Sequence, residues 1–267
     1  KATAYYEHLP VVVIPTVCAT DAPCTGLSVI YNDDGTFSNY IFYPKNPDAV
    51  IVDSSIIVHA PVRFLVSGMG DALGTYFEAR MCEKTNSPSL ENGGITKSAM
   101  ALCELCYHTL LEDGYKAKKA AELGVLTPAV EAIIEANTYL SGVGADNGGL
   151  ATAHSVYNGF TALDECKHTM HGELVAFGTL VQLVLEDAPD DEINEVMDFC
   201  VSVGLPITLK QVGVTNPKRV KVAAEKACAP GESIHNMLGD VTPDQLYNAV
   251  IAADAIAKDF CFEGEEE

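Results

Sequence analysis

A chain of 267 residues with 48% hydrophobic and 7% aromatic content can bury a substantial core, in one large domain or two modest ones. Its 16 Lys and Arg are outnumbered by 37 Asp and Glu, for a formal net charge of -21, which repels nucleic-acid phosphates and anionic lipid and leaves neither as an expected partner. No apolar run reaches the roughly 18 residues of a membrane helix, so no membrane span is expected either.

The chain begins at Lys1 rather than Met and has no charged-then-apolar signal segment, so it reads as a fragment of something longer. Strand character marks the first sixty residues. LPVVVIPT is an apolar, β-branched run, LSVIYNDDGTFSNYIFYP predicts a hairpin turning at Asn32-Asp33-Asp34-Gly35, and AVIVDSS predicts a short buried strand. From about His59 the period changes, and amphipathic helices are predicted near 60–82, 96–112, 116–122, 127–140, 147–163, 171–186, 190–203, 217–228 and 243–260. Gly204-Leu205-Pro206 stops one of them, while Thr127-Pro128 and Thr242-Pro243 each supply a cap and a first-turn proline. Residues 263–267 read as a solvated tail. The pattern is α+β, with a β-rich segment 1–58 followed by an all-helical segment 59–267.

Nine cysteines, at 18, 24, 82, 103, 106, 166, 200, 228 and 261, are an odd and scattered set with no disulfide framework, as expected in a reducing cytoplasm. Cys103 and Cys106 form a CxxC, but the surrounding KSAMALCELCYHTLLEDG has helical spacing, which favours small packing residues over a redox or zinc pair.

Three residues stand out chemically. His154 lies among small residues in GGLATAHSVYNGFTAL, and His171 precedes the nearly continuous apolar run of HGELVAFGTLVQLVLE. Each alone reads more readily as a hydrogen-bonded core histidine than as a metal ligand. Asp71, flanked by glycines in SGMGDALGTYFEAR, reads on its own as an N-cap or first-turn acid. Together the three meet the need of a catalytic zinc site for three N/O ligands and an open position. The spacing of the histidines puts them on separate helices.

The segments PTVCATDAPCTGLSVIYNDDG, GMGDALGTYFEAR, EANTYLSGVG, GGLATAHSVYNGFTAL, HGELVAFGTLVQLVLE, SVGLPITL and TPDQLYNAVIAAD closely resemble the glycerol dehydrogenase family of the iron-containing alcohol dehydrogenase superfamily. The resemblance implies a remnant of a Rossmann-like domain over 1–58 and a dehydroquinate synthase-like helical domain over 59–267, which binds metal and substrate. It implies Zn2+ or another divalent metal on Asp71, His154 and His171, which are also the catalytic residues and, with Asp21, the polyol site. It further implies NAD contacts at Thr16, Val17, Cys18, Ala19, Thr25, Leu27 and Tyr31, glycerol as substrate, dihydroxyacetone as product, and a cytoplasmic homo-oligomer, commonly an octamer. His168 is expected at the surface or beside the site, and Tyr157 stands where relatives often carry another His.

The family's glycine-rich pyrophosphate loop is not found. Gly93-Gly94 and Gly148-Gly149 follow no predicted strand and do not replace it, so activity is expected to be compromised. Two alternatives remain open: a truncated, non-catalytic, metal-binding and self-assembling relative, and a dehydrogenase of another small diol or alcohol.

Overall fold

The computed structural model describes residues 1–32 and 37–263. A short helix α1 (Ala2–Tyr6) leads into strands β1 (Val12–Val13), β2 (Leu27–Tyr31), β3 (Phe37–Phe42) and β4 (Ala49–Val50), then α2 (Ser54–Ile57). Strands β2 and β3 pair antiparallel, Leu27 opposite Phe42 and Val29 opposite Tyr40, while β1 and β4 form a parallel pair of two residues each. The helical segment follows: α3 (Val62–Thr85), α4 (Lys97–Glu122), α5 (Pro128–Glu135), α6 (Ser141–Gly148), α7 (Thr152–Phe160), α8 (His171–Leu185), α9 (Asp190–Val203), α10 (Val220–Ala227) and α11 (Pro243–Glu263). The expected α+β class holds, with a small β-bearing start and a large helical body.

Helix α3 is the axis of that body. It is buried on nearly all sides, from Leu65 to Cys82, as a helix without a polar face must be. Asn86, in the left-handed region at φ 55°, ends it by donating its N–H to the Cys82 and Glu83 carbonyls. On one side α3 shares a core with α4, α5 and α9 through Leu73, Phe77, Leu110, Ile133 and Met197. A second core, built on Phe160, Phe177, Val181, Val220 and Leu246, joins α7, α10 and α11. Helix α8 supplies both, with Leu180 and Leu183 in the first and Leu174 and Phe177 in the second.

Glycines set how closely these helices approach. A Cβ on Gly172 of α8 would lie 1.7 Å from the Ser67 carbonyl oxygen of α3, and one on Gly178 would lie 2.5 Å from the Ala153 carbonyl oxygen of α7. Helices α3, α7 and α8 therefore touch backbone to backbone.

Several predicted boundaries move. The helices expected at 96–112 and 116–122 are one helix, α4, because Gly114 is a contact glycine rather than a break: its Cβ would meet Phe199 Cε2 at 2.7 Å. The helix expected at 127–140 continues through a π-helical turn, Ala136–Leu140, into α6. The next begins at Thr152 rather than 147, since Gly149 takes φ +83°. The segment expected at 217–228 is a 3-10 turn, Pro217–Arg219, followed by α10.

AVIVDSS is not a buried strand. Ile51 is 55% exposed, because β4 pairs over only two residues and no helix of the described residues covers it. The hairpin itself is present, but Asp33, Asp34 and Gly35 of its expected turn, like residues 264–267 of the expected tail, lie outside the described residues.

All nine cysteines are free. Cys103 and Cys106 face the core from α4, and burial pushes the Cys103 thiol up to about 12 and that of Cys106 well above its usual value. Thiolate chemistry is disfavoured there. No helix of the described residues is long and apolar enough to cross a membrane.

Candidate active site

Asp71, His154 and His171 come from α3, α7 and α8 and converge. Their ligating atoms all lie within 4.8 Å of one another. His171 Nε2 is 3.0 Å and His154 Nε2 3.4 Å from Asp71 Oδ1. Asp71 is not the first-turn acid its local sequence suggests. It sits in the interior of α3 at 1% exposure, where a carboxylate is costly unless compensated.

The compensation is visible. Burial alone would raise the Asp71 pKa, but His171 and His154 hold it well below the usual carboxylate range, and Asp21 donates its backbone N–H to Oδ2 at 3.2 Å. Burial works against a charged His154, yet Glu78 and Asp71 raise its pKa well above that of a free imidazole. Asp21 is pushed up to about 8, first by burial and then by the neighbouring Asp71 charge, with His154 and a hydrogen bond from Ser141 opposing.

Local structure explains the placement of each group. His171 opens α8, and Glu173 in the same first turn accepts the Met170 N–H at 2.8 Å while a two-point bridge from Arg63, 2.7 and 2.8 Å, ties it to α3. Arg63 also donates to the His168 carbonyl at 2.8 Å, so His168 contributes its backbone from an exposed position. The Tyr157 ring, three residues beyond His154, meets the His171 ring edge to face at 4.1 Å.

The π-helical turn and the residue after it hold the segment that carries Asp21. The turn's Asn137 donates to the Cys18 and Leu65 carbonyls at 3.3 and 3.0 Å, and Ser141, just beyond it, donates to Asp21 Oδ2 at 3.0 Å. Such turns are enriched at functional positions, where the extra residue re-aims side chains.

A cleft of about 790 Å³ opens over this centre, lined by His154, His171, Asp21, Thr25, Leu27 and Tyr157 and also by Asn158, Tyr40 and Glu232. Asn158 donates to both the Tyr40 hydroxyl and the Glu232 carboxylate at 2.8 Å, linking hairpin and helical body. Asp146 fastens the base of the hairpin by accepting from Gly26 N–H (2.9 Å) and Asn46 Nδ2 (2.5 Å).

Of the residues expected at the cofactor, Thr25 and Leu27 line the cleft, whereas Thr16, Val17, Cys18 and Ala19 lie in the connection between β1 and β2 and are not among its lining residues. The Cys18 thiol points into the helical core and donates to the Ile134 carbonyl. For Tyr31 only the backbone is described, paired with Phe37.

Sequence reasoning missed Glu78, fully buried and 2.6 Å from His154 Nδ1. The one available signal was a glutamate seven residues after Asp71 in an otherwise apolar helix. Asn158 and Glu232 were missed as well, and no local pattern marks either of them.

The family model for iron-containing alcohol dehydrogenases matches residues 1–54. A glycerol dehydrogenase of Escherichia coli O6:H1 is 53% identical, in an alignment that takes in 99% of this chain and 73% of the other. A glycerol dehydrogenase of Thermotoga maritima is 49% identical, over 95% of this chain and 70% of the other. The crystal structure of glycerol dehydrogenase from Schizosaccharomyces pombe superposes with a TM-score of 0.96 at 40% identity, covering 99% of this chain and 68% of that one.

Proposed function

This chain belongs to the glycerol dehydrogenases of the iron-containing alcohol dehydrogenase family, and from that premise we propose that it oxidises a small polyol, glycerol first, to dihydroxyacetone with NAD as hydride acceptor. The observation that carries the reading is the convergence of Asp71, His154 and His171 beside a cleft that Asp21 also lines.

The donor set fits a divalent metal, zinc before others. One carboxylate oxygen and two imidazole nitrogens from three separate helices gather within 4.8 Å, and both histidines also face the cleft where a fourth ligand would stand. When bound, such a metal supplies Lewis-acid polarisation of the substrate hydroxyl, and the nicotinamide supplies the acceptor for the hydride.

The chain's own residues supply the positioning. Asp21, oriented by Ser141, accepts a hydrogen bond from a polyol hydroxyl. Tyr157 braces the His171 ring, and Thr25 and Leu27 line the cleft on the side proposed for the nicotinamide end. The described residues contain no glycine-rich loop running from a strand into a helix for the pyrophosphate; Val50 leads to α2 through Ile51, Val52 and Asp53.

Metal analysis of the intact protein together with NADH formation from glycerol tests the proposal. One equivalent of zinc with glycerol-dependent NADH is the expected result. Zinc without NADH formation would leave a metal-binding relative that is not a dehydrogenase, and faster turnover on another diol would reassign the substrate.

Asp21→Asn separates the polyol contact from the fold. A hydrogen bond to a charged group is worth about 1.5–3 kcal/mol, so kcat/KM for glycerol is expected to fall about 10- to 100-fold. The metal-free variant should melt no lower than the wild type, because burial and the neighbouring Asp71 charge already disfavour an ionised carboxylate at Asp21 and a neutral amide carries neither cost. Unchanged kcat/KM would remove Asp21 from the substrate site.

A further inference from the structure

Glu78 stands seven residues after Asp71 on α3, two turns along the same face. It is fully buried, and its hydrogen bonds run to the segment that carries His154. Oε1 accepts the Ala151 N–H at 2.8 Å and the His154 N–H at 3.0 Å, and Oε2 lies 2.6 Å from His154 Nδ1. A carboxylate has no proton to give. Nδ1 is therefore a donor, so the position at which a metal can replace a proton is Nε2, the atom facing Asp71 Oδ1 at 3.4 Å.

Gln182 completes the arrangement from the other side. It lies eleven residues after His171 on α8, accepts the Thr152 and Ala153 N–H groups at 3.0 and 3.3 Å, and donates to the Phe77 carbonyl of α3 at 3.0 Å. Four successive N–H groups at the start of α7, which no backbone carbonyl of that helix can satisfy, are thus held by buried side chains of α3 and α8. Those two helices carry the other two members of the metal centre, Asp71 and His171.

We infer that Glu78 is a positioning residue of this centre: it fixes Nε2 as the ligating atom of His154 and locks the α7 terminus in register with Asp71. The inference rests on the metal-centre reading above. An outer-shell carboxylate on a ligating histidine sets ring orientation and basicity and typically governs metal affinity.

The test uses the full chain stripped of metal, with Zn2+ as probe and affinity read by competition with a chromogenic chelator. Glu78→Gln is isosteric. Its amide oxygen keeps the two backbone N–H bonds, but its NH2 faces Nδ1 and favours the proton on Nε2. The variant is expected to match the metal-free wild type in circular dichroism while binding Zn2+ about 10- to 100-fold more weakly. Affinity within about threefold of wild type would overturn the assignment, since outer-shell losses run tenfold or more.

His171→Ala is the control for the underlying reading. If it binds Zn2+ as tightly as the wild type, the centre itself falls and the role of Glu78 with it. If Glu78→Gln does not fold, ring 15N spectra of the zinc-loaded wild type decide. Nδ1 protonated and Nε2 metal-bound is the expected pattern for His154, and the reverse refutes the assignment.

Discussion

Alanine at Gly172 is expected to cost at least about 3 kcal/mol, beyond the middle of the range for overpacked sites, and to lower the melting temperature by roughly 6–12 °C for a chain of this size. The cause is local and backbone-bound. The new Cβ would stand 1.7 Å from the Ser67 carbonyl oxygen and 2.8 Å from the Asp71 nitrogen, the two atoms that pair across one turn of α3. Neither can rotate away as the end of a side chain could, so α8 must move off α3. That movement separates His171 from Asp71, and zinc affinity should fall together with stability. Gly94→Ala is the matched control: a Cβ there meets nothing within 4 Å. If Gly172→Ala melts with the wild type, the close α3–α8 contact is not what holds the two ligands together.

The contrast between Gly172 and Gly94 shows what the sequence alone conveys. Neither Gly172, in HGELVAFG, nor Gly94, in the pair Gly93-Gly94, is marked by its neighbours, and only the crossing of α3 and α8 separates a fixed contact from an open loop. Helix periods and caps were legible because they are written in neighbouring residues, as at Thr127-Pro128, where the Thr127 side chain accepts the Val130 N–H. Long-range consequences were not. Gly114 reads as a helix break until Phe199 is placed against it, and the apolar Ile51 reads as buried although nothing in the described residues lies over it.

The site divides in the same way. Asp71, His154 and His171 emerged because resemblance ties them together, while their spacing of 83 and 17 residues could not. Their neighbours followed a different logic. Glu78 and Gln182 repeat the faces of Asp71 and His171 along the same helices, so they become recognisable only once those helices are known to flank α7. Asn158, one turn after His154, became visible only through the hairpin residue Tyr40 across the cleft.

His171→Ala should produce the largest change in metal binding with the smallest change in fold. His171 opens α8 at the rim of the cleft and its side chain is 25% exposed, so its loss leaves no sealed core cavity. The first turn of α8 also keeps the Glu173 contacts to Met170 and Arg63. Helical circular dichroism should therefore match the wild type. Zinc affinity should drop by more than the roughly 100-fold upper range for an outer-shell partner, because one of three protein ligands is gone and two cannot hold a tetrahedral metal against solvent. The order of effects is itself diagnostic. If Asp71, His154 and His171 are the ligands and Glu78 acts through one of them, His171→Ala must weaken Zn2+ binding more than Glu78→Gln. Should the alanine variant instead retain one tightly bound equivalent, the metal does not sit at this convergence and the proposed polyol chemistry loses its centre.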